Sequence, residues 1–344
     1  MRPRPLRSAL ATLTATLAAA TCLTTPASAS APACSPSVTI EGYSDALDKT
    51  THDGTYVGNI SALATDRRGT LAALSDRSAL FSLDGRTLRP RSVLPLADET
   101  GTALDSEGLV VDKDGTYLIS TEGEPAVRRY SRDGEILARL PVPDALRVTP
   151  AGRATPNGTF EGLTLTRDGR TLLAAMEYAL TGDTPGTVRF QTWRRPAPKG
   201  AFTLGPQYAY RADTGLGVPE ITALPDGRLL VLERGFTAGT GNTVRLYLAD
   251  PRRATDTSGV DHLTDGPSIR PITKTLLADL VDCPDLGAPA HQPQPNPLLD
   301  NIEAMTLTGT ARSGRRLEVL LASDDNQNAA QITRFYELGV RVGG

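Results

Sequence analysis

Ser106-Glu107-Gly108-Leu109-Val110-Val111-Asp112-Lys113-Asp114-Gly115-Thr116-Tyr117-Leu118-Ile119-Ser120-Thr121-Glu122 reads as two short apolar strands joined by a tight turn, with a glutamate at each open end. Asp-Gly between apolar runs is a strong hairpin signal, because glycine takes the backbone that the turn needs without a Cβ clash. The same unit recurs. Asn59-Ile60-Ser61-Ala62-Leu63 passes through Asp66-Arg67-Arg68-Gly69 to Leu71-Ala72-Ala73-Leu74-Ser75-Asp76. Phe160-Glu161-Gly162-Leu163 passes through Asp168-Gly169 to Leu172 to Glu177, and Pro219-Glu220-Ile221-Thr222 passes through Asp226-Gly227 to Leu229 to Glu233. Ile302-Glu303-Ala304-Met305 reaches Leu317 to Asp324 through a longer turn.

A third strand-like run follows each hairpin: Ala79 to Leu83, Ala126 to Tyr130, Val188 to Trp193, Val244 to Leu248 and Gln331 to Leu338. A fourth often follows, as at Glu135 to Leu140 and Thr273 to Leu280. Four-stranded units repeating along a chain predict an all-β fold, a single β-propeller whose blades stack around an axis. Five hairpins are clear, and the long gap between Glu233 and Glu303 has room for a sixth blade, so five or six blades are expected. Val38 to Gly42 is placed to supply the outer strand of the last blade and close the ring. Thr255 to Gly266 and Pro284 to Pro297 read as loops.

Acids recur at the two ends of the hairpins. Glu107, Glu161, Glu220 and Glu303 open the first strand, and Asp76, Glu122, Glu177, Glu233 and Asp324 close the second. A hairpin brings its two ends to one edge of the sheet. With the first strand nearest the axis, these carboxylates are expected at one rim of the channel. Ser61 interrupts the series in the first unit. Crowded carboxylates raise one another's pKa or recruit a cation. Oxygen-only donors suit Ca²⁺, or Mg²⁺ or Mn²⁺, rather than zinc or copper. The expected ligands are Glu107, Glu122, Glu161, Glu177, Glu220, Glu233, Glu303, Asp324 and Asp325. Arg77, Arg128 and Arg234 follow or adjoin rim positions; Arg77 and Arg234 are the candidates for binding an anionic substrate. Gly235 to Asn242 is glycine-rich but reads as a hairpin loop, not a phosphate cradle.

Composition limits the alternatives. The chain has 344 residues, 39% of them hydrophobic, and a formal net charge of -3, which argues against a nucleic-acid partner. Three His, scattered at positions 52, 262 and 291, leave little for zinc. Arg2, Arg4 and Arg7, an apolar run from Leu10 to Leu23 and Ala27-Ser28-Ala29 read as a signal peptide over residues 1–29, leaving residues 30–344 as the propeller domain. The run is too short for a membrane span, so a secreted, monomeric product is expected. Loss of Cys22 with the leader leaves Cys34 and Cys283, an even pair in an oxidising compartment. A bridge between them would stabilise by roughly 4–5 kcal/mol in the chain-entropy account.

Asp105-Ser106-Glu107-Gly108-Leu109, Phe160-Glu161-Gly162-Leu163, Leu232-Glu233-Arg234-Gly235-Phe236 with Gly239-Thr240-Gly241-Asn242, Asn301-Ile302-Glu303-Ala304-Met305 and Ser323-Asp324-Asp325-Asn326 together resemble the phytase-like family, "esterase-like activity of phytase". The likeness runs from Ile60 to Leu338. It implies a secreted propeller whose acids serve phosphoric-ester hydrolysis of a small-molecule substrate. Glu107, Glu161 and Glu303 are then the candidate general bases. Two other readings fit the same residues: a calcium-dependent lactonase or carboxylesterase, and a non-catalytic propeller in which the metal only pins the blades together.

Overall fold

Each hairpin grows into a four-stranded antiparallel sheet, and the sheets are the five blades of a propeller. A computed structural model describes residues 32–310 and 316–343; the expected leader lies outside the described residues. Blade I comprises Ile60–Thr65, Thr70–Ser75, Ala79–Asp84 and Pro90–Pro95. Blade II comprises Ser106–Val111, Tyr117–Thr121, Ala126–Tyr130 and Ile136–Arg139. Blade III comprises Phe160–Leu165, Thr171–Met176, Thr187–Arg194 and Thr203–Arg211. Blade IV comprises Gly217–Ala223, Leu229–Thr237, Gly241–Asp250 and Thr273–Asp279. Blade V comprises Ile302–Thr310, Leu317–Ser323 and Phe335–Val340, and its outer strand is Val38–Ser44. That strand runs antiparallel to the C-terminal one, with Val38 opposite Val340 and Ser44 opposite Phe335.

The gap between Glu233 and Glu303 holds no sixth blade. It carries the two outer strands of blade IV and the loops expected at Thr255 to Gly266 and Pro284 to Pro297. Glycine at the hairpin turn does what its sequence position demands: Gly69, Gly115, Gly169 and Gly227 have φ of 76°, 93°, 73° and 87°.

The strands are apolar on both faces because each blade is covered on both sides. Among the described residues the buried apolar side chains form five clusters, one per blade interface. Successive strand residues point to opposite faces, so one strand feeds two interfaces. In blade I, Ala73 packs towards blade V while Ala72 and Leu74 pack towards blade II. In blade III, Leu172 and Ala174 face blade II, and Leu173 and Ala175 face blade IV. Polar links join the same interfaces: Arg195 of blade III donates two bonds of 2.7 Å to Asp112, at the turn of blade II. Cys34 and Cys283 form the expected disulfide, across a sequence separation of 249. It ties the segment before the closing strand to the end of blade IV. Among the described residues no helix is long and apolar enough to cross a membrane.

Candidate active site

The ladder breaks at the same point in every blade. Register shifts fall between Ile60 and Ala62, Ser106 and Leu109, Phe160 and Leu163, Gly217 and Glu220, and Ile302 and Ala304. A bulge re-aims the side chain it frees. Here it delivers Ser61, Glu107, Glu161 and Glu303 to a cavity of about 340 Å³ at one end of the channel. The second strands deliver Asp76, Glu122, Glu177 and Asp324 to the same cavity. A repeated bond holds them there: the backbone N–H groups of these four donate to the carbonyls of Asn59, Asp105, Thr159 and Asn301 at 2.7–3.0 Å.

Blade IV departs from the sequence expectation by one residue. Eight residues before the turn glycines Gly69, Gly115, Gly169 and Gly227 stand Ser61, Glu107, Glu161 and Pro219. Proline therefore holds the acid's place in blade IV, and Glu220 falls one residue later, where blades II and III carry Gly108 and Gly162. A one-residue slip sends a strand side chain to the other face. Glu220 is accordingly sealed between blades III and IV, accepting from the backbone N–H of Leu163 at 3.2 Å and of Ile221 at 2.8 Å. Glu233, on the second strand, also lies outside the rim. It accepts from Tyr210 Oη at 2.6 Å, Lys274 Nζ at 2.5 Å and the Asp213 N–H at 2.8 Å. Arg234, seven residues past Gly227 as Glu122 is past Gly115, enters the cavity instead. Counting back from the turn glycine, rather than matching glutamates by eye, finds this register on the first strand; on the second strand the count holds for Asp76, Glu122 and Arg234 but Glu177 stands eight residues past Gly169.

Asp325 also points away from the cavity. Lys49 Nζ at 2.5 Å, the Asn59 N–H at 3.0 Å and the Tyr56 hydroxyl hold it. Arg128 bonds Glu99 at 3.1 Å and Glu124 at 3.0 Å, away from the cavity. Thus Glu107, Glu122, Glu161, Glu177, Glu303, Asp324, Arg77 and Arg234 come together, and Glu220, Glu233, Asp325 and Arg128 do not. Asp76, Asp105, Asn157, Tyr178 and Asn326 complete the lining. Of these, Asn157 and Tyr178 lie outside the acidic repeat and carried no signal in the sequence.

The small residues beside the rim acids let neighbouring blades meet. A Cβ on Gly162 would lie 2.6 Å from the Ile221 nitrogen and 2.7 Å from the Glu220 Cα, both backbone atoms of blade IV. Gly162→Ala is therefore expected to destabilise by about 1–3 kcal/mol through overpacking. Chemical denaturation reads this, and an unchanged midpoint would contradict the close approach.

Burial dominates the charge balance in the cavity. It pushes Glu107, Glu161 and Asp324 well above the usual carboxylate range, and the neighbouring acids add to the shift. Glu122 is pushed up to about 7, by burial and then by Glu177 and Asp105. Asp76 is pushed up to about 6, chiefly by burial. Burial also raises Glu177, and Arg234 opposes that shift. Arg234 is the cationic exception within the rim. Its Nη2 bonds Glu303 and lies 3.5 Å from Glu177 Oε1. Asn301 donates a further bond to Glu303 at 3.0 Å. Arg77 is mostly exposed, with its Nε 3.5 Å from Asp76 Oδ1. The cavity is therefore bipolar: acids from blades I, II, III and V surround a guanidinium from blade IV.

The sequence pattern of the family described as "Phytase-like: Esterase-like activity of phytase" matches residues 55–327. The chain belongs to this phytase-like family. A curated relative, an "Uncharacterized secreted protein" of Arthroderma benhamiae, is 28% identical over 180 residues, which cover 40% of this chain. The match spans only 35% of that fungal protein's length. Among solved structures, the WD40 domain of Neurospora crassa Pan2 is 11% identical, with a TM-score of 0.38, covering 92% of this chain and 99% of its own. A streptogramin B lyase is 12% identical, with a TM-score of 0.37, covering 83% of this chain and 84% of its own. These low scores carry no argument about the site; the blade count rests on the strand order given above.

The donor set of the phytase-like rim fits a hard divalent cation. Asp105, Glu107 and Glu122 can each bring an oxygen within 4.8 Å of the others, and so can Glu122, Glu161 and Glu177. Buried Ser61 Oγ, Asp76 Oδ1 and Glu122 Oε1 have no hydrogen-bond partner. Oxygen donors in this surplus suit Ca²⁺, Mg²⁺ or Mn²⁺.

Proposed function

We propose that the protein is a secreted, divalent-cation-dependent phosphoric-ester hydrolase, with Ca²⁺ as the working cation and Mg²⁺ or Mn²⁺ as substitutes. The observation that carries this reading is the bipolar rim on a phytase-like propeller: buried acids facing Arg234. An anionic phosphoester would be repelled by the acids alone. Bound cation supplies the countercharge and polarises the phosphoryl group. Glu122, together with Asp105 and Glu107 or with Glu161 and Glu177, would hold it. Arg234 receives a phosphoryl oxygen through its unpartnered Nε, while Glu303 and Asn301 fix the guanidinium plane. Arg77, at the mouth, meets the substrate's outer charge. Glu303 is engaged by Arg234, so Glu107 or Glu161, whichever the cation leaves free, would take the proton of the attacking water as the P–O bond to the leaving alcohol breaks, and the alcohol oxygen would take up a proton from solvent. Secretion is supported by the disulfide, which suits an oxidising compartment, and by the description of the fungal relative.

Purified protein is expected to hydrolyse phytate or bis-p-nitrophenyl phosphate with Ca²⁺ present and to lose that turnover with EDTA. Absence of metal-dependent turnover on both would remove this function. Hydrolysis of lactones or p-nitrophenyl acetate instead would reassign the chemistry to carboxylic esters.

A further inference from the structure

Blade IV alone carries its second strand past the rim. In the other four blades that strand ends one residue short of the rim acid, at Ser75, Thr121, Met176 and Ser323. In blade IV it runs on through Arg234 to Thr237. Its pairing with the third strand is unbroken from Leu229 opposite Ala249 to Thr237 opposite Gly241. With no bulge between them, Arg234 and Phe236 point to the same face, about 7 Å apart along the strand. Arg234 enters the cavity, so Phe236, 56% exposed, overhangs its mouth.

Tyr178 lines the cavity and is 39% exposed. Its ring rests on two glycines. A Cβ on Gly217 would lie 2.9 Å from Tyr178 Cε1, and one on Gly158 would lie 3.1 Å from its Cδ2. Gly217 stands opposite Arg234 in the ladder, so the two rings flank the buried guanidinium. Single exposed apolar residues are ordinary on a protein surface; an aromatic pair beside a charged cavity is not. Of the five large apolar side chains exposed among the described residues, Leu137, Leu204 and Leu276 lie on outermost strands. The two aromatic ones are both at this mouth.

We propose that Tyr178 and Phe236 hold the organic group of the substrate, and that this group carries an aromatic ring. The inference deepens the proposed function and rests on it. A phosphoryl oxygen on Arg234 leaves the ester substituent one step further out along the strand, at the level of Phe236. Two rings there stack on a flat apolar group and shield it from water. A polyanionic alcohol such as phytate gains nothing from them and sets further charge against an apolar surface. The glycines beneath Tyr178 fix its ring in advance, so little ordering is lost on binding. Both side chains set specificity and touch no reacting atom.

The test titrates the full chain, in Ca²⁺, with phenylphosphonate and methylphosphonate at a pH where both are dianions. Wild type is expected to bind the phenyl compound about ten-fold more tightly, or better. Phe236→Ser and Tyr178→Ala are each expected to cut that preference to about two-fold while leaving methylphosphonate binding unchanged. Tyr178→Phe keeps the ring and is expected to keep the preference, as is Leu204→Ser on an outer strand. Phe236 is exposed, so its variant keeps the test readable if Tyr178→Ala fails to fold, which circular dichroism shows. Wild type binding the two phosphonates equally, or neither, would overturn the inference, and so would a preference that survives Phe236→Ser. Ring-dependent binding without turnover of any phosphoric ester would sink the proposed function and leave the aromatic wall standing. Metal-dependent turnover with equal binding of the two phosphonates would do the reverse.

Discussion

Arg234→Ala is expected to lower phosphoester turnover by about 10²–10³-fold, the usual cost of removing one preorganised donor to a developing oxyanion. Arg234 alone supplies positive charge within the buried part of the described rim; Arg77 sits at the mouth, largely in solvent. Removing the guanidinium also leaves Glu177 and Glu303 facing each other without compensation, and both then favour a cation. The variant is therefore expected to bind Ca²⁺ more tightly while turning over more slowly. A residue with a merely structural role would not move those two quantities in opposite directions. Steady-state kinetics, isothermal titration with Ca²⁺ and a melting curve check the three parts together. Arg234→Lys is expected to recover only a fraction of the turnover, because an ammonium cannot hold Glu303 and present a second planar donor at once. Turnover within three-fold of wild type in Arg234→Ala would sink the role assigned to this residue.

Replacing Cys34 and Cys283 together by serine is expected to cost about 4–5 kcal/mol, because the bond closes most of the chain into one loop. The cost falls on ring closure. Cys34 lies just before Val38–Ser44, the strand that completes blade V, and Cys283 follows the last strand of blade IV. A 2.6 Å bond from Ser35 Oγ to the Leu277 carbonyl runs beside the disulfide and joins the same two segments. Val38 and Ile40 are fully buried, so release of this strand would expose the interface between blades IV and V. For a protein of this size the loss corresponds to a fall in Tm of about 10 °C or more. Calorimetry of the oxidised protein, the reduced protein and the double variant reads it. Reduced and double-variant protein melting within 2 °C of wild type would show that the strand is held without the bond.

Much of the architecture was legible because the repeat is physical rather than cosmetic. A turn that needs a left-handed residue accepts Gly115 and Gly227 and little else. A blade covered on both faces needs unbroken apolar strands, as at Leu71 to Leu74 and Leu229 to Leu232. The terminal strand was legible for a similar reason: Val38 to Gly42 had no partner of its own, and the last unit lacked an outer strand. The rim was legible in three blades, where Glu107, Glu161 and Glu303 sit at the open end of a first strand. It was misread in the fourth. Glu220 and Glu233 look like members of the series, because glutamate recurs at nearly the same spacing. For Glu220 the bulge decides otherwise, and a bulge leaves no composition of its own behind. Asp325 was misread for a simpler reason. Its neighbour Asp324 faces the cavity, and adjacent residues at a strand end point to opposite sides.

By itself, the sequence determined the five hairpins, the strand that closes the ring and the existence of an acidic rim, and it led to the expectation that Cys34 pairs with Cys283. Each of these follows from local chemistry: turn glycines, apolar periodicity, and charges at strand ends. Only the tertiary structure decided which acids share the cavity and that Arg234 faces them. It placed Glu220 between blades, Glu233 on Tyr210 and Lys274, and Asp325 on Lys49. The physical reason is register. A shift of one residue at a bulge is invisible in residue type, yet it turns a carboxylate from the channel into a blade interface.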